Sequence, residues 1–379
     1  MRCKLRVGSF GAVTDSGVFQ DRLTRVRARM SDLAVDALLL SIGADLPWLC
    51  GYEAMPLERL TMLVVPAKEE PTLIVPRLEV PRVEDRPDLF RLTAWDETDD
   101  PIALVGNLVG SRITLAIGDH TWSRFLLALQ NELPARRWHP ASMITSPLRA
   151  AKDKAELDCL ARAAAAADRV ASAIHSGDIP LVGRSEAEVA NDIGRRLVAE
   201  GHDKVAFVIV ASGPNSASPH HEPGERIIGR DEMVVCDFGG ILDGYCSDIT
   251  RTVVTGEPTP EMEAMYAVIS EAHAAGVTAA VVGSPCAEVD GAARDVIADA
   301  GYGEFFPHRT GHGIGRDVHE DPYLVDGNNT LLEPGNAFSV EPGIYLPGRF
   351  GARLEDIVVA TEEGPWSLNK ADHSLIVVG

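Results

Sequence analysis

The 379-residue sequence contains no CxxC pair; its six cysteines, Cys3, Cys50, Cys159, Cys236, Cys246 and Cys286, stand far apart. That spacing excludes a structural zinc ribbon. Most of these thiols sit among apolar residues, where they behave as small hydrophobes, so a reducing compartment is expected rather than a disulfide framework. No apolar run approaches the ~18 residues that a membrane span needs. The N-terminal stretch "MRCKLRVGSFGAVTDSGVF" is basic but lacks a continuous apolar segment and a cleavage site, so a cytoplasmic protein is expected. Positive charge is also scarce. Thirty-five Lys and Arg against 56 Asp and Glu give a net charge of −21, which argues against nucleic acid or a membrane surface as a partner. No Gly-rich nucleotide loop is present: "GHGIG" opens no helix, and "SFGAV" and "SGPNS" lack the strand–elbow–helix setting of a hydrolase serine.

What remains is an ordinary globular composition, 45% hydrophobic and 24% charged, in a chain long enough for two domains. Up to about residue 145, strand patterns ("DALLLS", "LTMLVVPA", "PTLIVPR", "RITLAIG") alternate with helical ones at 19–31 and 121–132, predicting an N-terminal α/β domain over 1–145. "HPASMITSPL" at 139–148 reads as a turn-rich break. A second domain, 150–379, opens with an Ala-rich helix over 150–175 and a helix at 184–201 with a Ser185/Glu188 capping box. Strands follow over 205–255, then helices near 259–276 and 286–300. "SEAEVANDIGRRLVAEGH" from 185 and "PCAEVDGAARDVIADAGY" from 285 share Ala-Glu-Val and a terminal Gly, and each precedes an apolar strand that delivers one acid. This predicts an α+β domain with a pseudo-two-fold internal repeat.

The acids in those strands carry the chemistry. In "VVCDFGGILDGYCSDITRTVV" (234–254), Asp243-Gly244 is a favoured two-residue hairpin turn. It sets Gly239 opposite Asp248, with Asp237 on the same face, so the two carboxylates are diagonal neighbours ~7–8 Å apart at Cα. Folding "NAFSVEPGIY" onto "ARLEDIVVAT" about Gly348 sets Glu341 opposite Glu355, with Arg353 on the face of Glu355 and Gly343 across from it. Four such acids cannot sit together ionised without compensation. Either several are protonated or cations lie among them, and hard divalent ions are the economical answer. "PHRTGHGIGRDVHEDP" (307–322) adds His308, His312 and His319, and "SGPNSASPHH" (212–221) adds His220 and His221. His120, His139, His175, His202, His273 and His373 lack such a context and read as structural.

Taken in order and spacing, "PHH", "CDFGGILDGYCSDITRT", "RTGHGIGRDVHEDP", "SVEPGIY" and "ARLEDIV" resemble the pita-bread metallopeptidases, within them the Xaa-Pro dipeptidases (prolidases) and aminopeptidases P. The preceding 145 residues resemble the creatinase-type N-terminal domain of those enzymes. The resemblance implies an α/β N-terminal domain followed by a pita-bread α+β catalytic domain. It implies metal ligands at Asp237, Asp248, His312, Glu341 and Glu355, with Asp248 and Glu355 bridging two divalent ions. Mn²⁺ is the expected ion, with Co²⁺, Fe²⁺ or Zn²⁺ as alternatives. It places His220, His308, His319 and Arg353 along the substrate and makes Glu341 the proton shuttle. Arg353 would orient Glu355 or hold a substrate carboxylate. His221 is left without a role.

The activity implied is hydrolysis of the bond preceding proline in Xaa-Pro dipeptides, by a homodimer acting on small proline-containing peptides. Two alternatives stand beside it: aminopeptidase P action on longer peptides, and a creatinase- or lyase-like activity on the same fold. A catalytically dead binding module is disfavoured because no ligand is lost. One departure bears on the choice. Many prolidases carry an arginine after the HExP segment that clamps the dipeptide C-terminus, whereas here Tyr323 follows Pro322.

Overall fold

The computed structural model describes residues 16–379, so Cys3 and most of the basic N-terminal stretch lie outside the described residues. The described chain up to Arg149 forms one compact unit and Ala150–Gly379 a second. Among the described residues no helix is long and apolar enough to cross a membrane.

The first unit runs α1 (Ser16–Asp32), β1 (Ala37–Leu40), α2 (Asp45–Cys50), β2 (Met62–Pro66), β3 (Thr72–Pro76), β4 (Arg91–Trp95), α3 (Pro101–Val109), β5 (Thr114–Ile117), α4 (Ser123–Glu132), β6 (Arg137–Pro140) and α5 (Ser142–Ala150). Its six strands form one mixed sheet in the order β4-β3-β2-β1-β5-β6. Runs such as "ALLL" and "MLVVP" are apolar throughout because both sheet faces are covered. Leu38, Leu40, Leu63 and Val65 pack with residues of α1, α2 and α5, whereas Ala37, Leu39, Met62 and Val64 pack with α3 and α4. The expected break at 139–148 is instead the end of β6 followed by α5, which runs through Pro147. Ala141 and Ile144 are fully buried in the first of these cores, and their burial outweighs the turn-forming residues around them.

The second unit runs α6 (Lys154–His175), α7 (Glu186–Ala199), β7 (Lys204–Ser212), β8 (Met233–Leu242), β9 (Tyr245–Cys246), β10 (Ile249–Val254), α8 (Pro260–Ala279), α9 (Cys286–Asp299), β11 (Gly311–Gly313), β12 (Glu320–Leu324), β13 (Ala337–Val340), β14 (Gly343–Leu346), β15 (Phe350–Arg353), β16 (Asp356–Thr361), β17 (Gly364–Ser367) and β18 (Ile376–Val377). One sheet is ordered β18-β10-β8-β7, with β9 paired to β8; a second is β12-β11-β13-β16-β17, and β14-β15 stand as a ribbon. An isolated bridge, Thr250 to Glu355, joins the first sheet to the second hairpin. Helix α6 serves both sheets. Ala167, Val170, Ala171 and Ile174 join the core of β7, β8 and β10, and Leu160 and Ala164 join that of β13 and β16. Its small residues let the backbone sit close to strands on either side. The Asp153 and Ser185 capping boxes set the starts of α6 and α7.

The internal repeat is visible in backbone detail. Ser185, just before α7, bridges Ile227, and Pro285, just before α9, bridges Leu331. In each half the next two amides are taken up the same way: Glu186 and Ala187 donate to Arg226 and Gly224, and Cys286 and Ala287 to Thr330 and Asn328.

Both hairpins adopt the register expected of them. Leu242 pairs with Tyr245 and Phe238 with Ile249, so Gly239 falls opposite Asp248 and Asp237 pairs with Thr250. Asp243 and Gly244 have φ of 51° and 80°, the left-handed pair that a tight hairpin turn requires. In the second hairpin Gly343 pairs with Arg353 and Val340 with Asp356, which sets Glu341 opposite Glu355. Gly239 is needed for close approach, since a Cβ there would lie 2.1 Å from the Ser247 carbonyl oxygen and 2.8 Å from the Phe207 ring. Gly239→Val is therefore expected to cost ~1–3 kcal/mol through overpacking, read by urea unfolding of the whole chain. An unchanged midpoint would show that the hairpin relaxes freely.

Candidate active site

The nine residues singled out from the sequence, His220, Asp237, Asp248, His308, His312, His319, Glu341, Arg353 and Glu355, all line one cavity of about 710 Å³ in the second unit. Asp237 comes from β8, Asp248 from the link between β9 and β10, and His312 from β11. Glu341 and Glu355 occupy the two steps where the second hairpin leaves one ladder for the next. All five are largely buried. Ligand atoms of Asp248, His312 and Glu355 lie within 4.8 Å of one another, and His312 Nε2 is 3.3 Å from Glu341 Oε1 and 3.8 Å from Asp248 Oδ2.

Two hydroxyls fix two of the acids. Thr250 Oγ1 donates to Glu355 Oε2 at 2.7 Å while accepting from Arg353 Nε at 3.0 Å. Ser339 Oγ donates to Glu341 Oε1 at 3.1 Å while accepting from the His312 amide at 3.0 Å. Arg353 spends its other donors on Asp237 Oδ2 (2.5 Å) and the Tyr345 hydroxyl (2.7 Å), and that hydroxyl lies 2.9 Å from His308 Nε2. Arg353 thus pairs most closely with Asp237, with Glu341 Oε2 3.9 Å from its Nε. It reaches Glu355 only through Thr250, and its fork is not open to clamp a substrate.

The electrostatics follow from crowding. Burial first, then the charges of Glu355, Asp237 and Glu341, hold the Asp248 carboxyl well above the usual carboxylate range. Burial, Glu341 and Asp237 do the same to Glu355. Burial pushes Glu341 up to about 7, against the pull of Arg353. Burial pushes His312 down to about 3 and His308 to about 4, so both imidazoles stay neutral. His319, whose ring centroid is 3.9 Å from that of His312, is lowered for the same reason. Burial works against the Arg353 charge, but Tyr345 and the surrounding acids outweigh it and keep it protonated.

Four buried carboxylates face one buried guanidinium, which leaves a formal excess of three negative charges. Asp237 Oδ1 and Asp248 Oδ1 are buried with no hydrogen-bond partner. A low-dielectric pocket does not keep such atoms idle. An oxygen-rich set with one neutral imidazole suits divalent cations, and the residues present fit them.

Several supporting groups were not singled out from the sequence. Thr250 could have been found, because the register sets it opposite Asp237; Ser339 and Tyr345 share alternate positions with Glu341 and Gly343. His221 turns out to be a latch. Its Nε2 lies 2.7 Å from Glu186 Oε2, and Ser212 and Asn215 also donate to that buried carboxylate, holding the loop that presents His220. Burial opposes the Glu186 charge, but the Ser212 and His221 hydrogen bonds outweigh it and hold its carboxyl below the usual range. On the other side, Asp290 on α9 accepts from the Thr310 amide at 2.9 Å and so positions the segment bearing His308 and Arg309. Arg309 was missed altogether. It lines the cavity, its guanidinium sits 4.3 Å from the Tyr323 ring centroid, and no described carboxylate pairs with it.

Removing Arg353 would leave Asp237 buried and unpaired, so Arg353→Ala is expected to lose ~3–5 kcal/mol of stability. Arg349→Ala removes an exposed pair with Glu261 and a contact with the Phe350 ring and should stay within ~1 kcal/mol. Equal losses in urea unfolding would contradict the assignment.

The chain matches the family model "Metallopeptidase family M24" over residues 158–362 and "Creatinase/Prolidase N-terminal domain" over 22–151. It is 43% identical over 369 residues to "Probable dipeptidase PepE" of Mycobacterium tuberculosis, covering 96% of this chain and 98% of that one. Among solved structures it is similar to a recombinant prolidase from Thermococcus sibiricus (36% identity, TM-score 0.91, 97% of this chain and 100% of the other). It is also similar to the Xaa-Pro dipeptidase from Bacillus anthracis (31% identity, TM-score 0.87, 95% and 100%). The buried acids, the neutral imidazole beside them and these matches along nearly the whole chain agree: the protein belongs to metallopeptidase family M24, with a creatinase/prolidase N-terminal domain preceding the peptidase domain.

Proposed function

We propose that the chain hydrolyses the peptide bond preceding proline in Xaa-Pro dipeptides, with two divalent ions, Mn²⁺ foremost, held by Asp237, Asp248, His312, Glu341 and Glu355. The observation that carries this reading is the convergence of four buried carboxylates and a neutral imidazole on one cavity. The relatives named dipeptidase, prolidase and Xaa-Pro dipeptidase support the substrate class. We take 1–145 as the creatinase-like domain and 150–379 as the catalytic domain. The five described cysteines are free thiols, four of them buried, which supports a reducing compartment, the cytoplasm. A homodimer rests on the family resemblance.

Divalent ions in this site supply Lewis acidity, polarising the scissile carbonyl and acidifying the attacking water. The chain's own residues do the rest. Glu341, which lines the cavity, accepts a proton from water and returns it to the proline nitrogen. His319 and His220 line the cavity and are placed to donate to the oxygen on which negative charge develops. Tyr345 and Arg353 hold Asp237 in place.

Arg309 bears on the choice between dipeptide and longer substrates. Tyr323 stands where many prolidases carry an arginine, yet an unpaired guanidinium rests on that tyrosine ring and faces the cavity. A free C-terminal carboxylate would find its partner there. Ala-Pro should be cleaved and Ala-Pro-Ala much less, and Arg309→Ala should raise KM for Ala-Pro ~10-fold or more while changing kcat little. Tripeptide cleavage at an equal rate would favour an aminopeptidase P. No proline release with Mn²⁺, Co²⁺, Fe²⁺ or Zn²⁺ would overturn the reading.

Metal binding competes with protonation of Asp248, Glu355 and Glu341, whose carboxyls are all raised, whereas His312, pushed down to about 3, has no proton to lose. Mn²⁺ affinity is therefore expected to fall about tenfold per pH unit as the pH drops below 7, where Glu341 takes up its proton. Calorimetry in buffers of different ionisation enthalpy reads that proton release. His312→Ala should lower metal content while the fold survives.

A further inference from the structure

A second cluster of ligand-type side chains lies outside the active-site cavity. His273 on α8, Asp356 on β16 and His373 in the C-terminal segment each bring one ligand atom within 4.8 Å of the others. These three residues are distant in sequence and come from three different elements. Asp356 follows Glu355 directly, but successive strand residues face opposite sides, so its carboxylate points away from the cavity. His273 and Asp356 are buried, whereas the His373 side chain is 44% exposed.

The hydrogen bonding here is incomplete in a specific way. Asp356 Oδ1 is satisfied by Arg251 Nη2 at 2.8 Å. Asp356 Oδ2 and His273 Nε2 are both buried with no hydrogen-bond partner, although they lie 3.5 Å apart. His373 Nε2 comes within 2.8 Å of Oδ2, close enough to form an ion pair with it when protonated. Two buried ligand-type atoms, one of them 2.8 Å from the half-exposed His373 nitrogen, thus lie close together. Donors on a tetrahedral ion, each ~2.0–2.2 Å from it, lie about 3.4 Å apart. The 3.5 Å separation already meets that figure, and the 2.8 Å one needs only the half-exposed His373 ring to move outward.

The supports resemble those of a built ligand set. Arg251 is 1% exposed and also donates to the carbonyls of Thr250, Glu355, Ala371 and Asp372, so the Asp356 carboxylate cannot rotate. The Tyr266 hydroxyl donates to the His373 carbonyl at 2.9 Å and pins that residue's backbone. A ligating carboxylate oriented by a hydrogen-bonding neighbour is the usual arrangement at metal sites.

We infer that His273, Asp356 and His373 form a separate site for one imidazole-binding divalent ion of the zinc class, reached from solvent past His373. Two imidazoles and one carboxylate suit Zn²⁺, Co²⁺ or Ni²⁺ better than Mg²⁺ or Ca²⁺, with water completing the set. An ion there ties α8, the strand carrying Glu355 and the C-terminal segment together at the back of the active site.

The test uses the full-length chain and its His373→Ala and His273→Ala variants. Each is stripped with chelator, equilibrated with Zn²⁺, desalted and counted by mass spectrometry of the metal. The expected result is one zinc fewer per chain in either variant than in the parent. In parallel, the zinc-dependent rise in Tm should be smaller in His373→Ala than in the parent. Equal zinc counts in the parent and both variants would overturn the proposal, whatever the active-site ions do. So would a Tm drop in His373→Ala that is the same with and without zinc, which marks a simple ion pair. Because His373 is half-exposed, its variant decides the matter even if His273→Ala does not fold.

Discussion

Mutual repulsion among four carboxylates buried in one pocket is the constraint on which the catalytic unit turns. Each acid is placed by backbone register, so none can swing out to water. Burial and neighbouring charge then oppose ionisation of Asp248, Glu341 and Glu355 together, and one guanidinium cannot balance the set. The pocket resolves the conflict by taking up either protons or cations. That single competition links the fold to the chemistry: the features that raise these carboxyls' affinity for protons also make the pocket fit divalent ions.

Around this centre the two halves of the repeat use matching devices. Thr250 and Ser339 each accept a hydrogen bond from one side and donate to a carboxylate on the other, so the hydroxyl proton has one available direction. Glu186 on α7 and Asp290 on α9 each sacrifice a buried acid to hold a loop, one bearing His220 and the other bearing His308. Asp237 and His312 thus sit on strands and Asp248, Glu341 and Glu355 directly beside them, while His220 and His308 sit on loops pinned from below. Strands supply fixed spacing and loops supply shape.

Much of this was legible from residues alone. The Asp243-Gly244 turn and symmetry about Gly348 suffice to pair Asp237 with the Asp248 arm and Glu341 with Glu355, because side-chain alternation in a hairpin leaves no freedom once the turn is known. The Ser185/Glu188 capping box and the long helices were equally plain. Other features were hidden for identifiable reasons. Helix α5 carries Pro147 and a turn-rich neighbourhood, and only the burial of Ala141 and Ile144 reveals it. Arg309 belongs to no periodic pattern; its position over Tyr323 depends on how β11 and β12 meet. His273 and His373 read as isolated structural histidines because α8 and the C-terminal segment approach each other only in three dimensions.

The second hairpin keeps one register from Ala337–Val359 to Leu346–Phe350, although it passes from one sheet to a separate ribbon on the way. Inserting or deleting one residue within either arm would therefore exchange inside for outside along everything beyond it. Glu355 would turn toward Arg251 and Asp356 toward the pocket. Changes of length can be absorbed only at the tip, around Gly348, where nothing lies within 4 Å of an added Cβ. The spelling of this segment can drift, but its frame cannot.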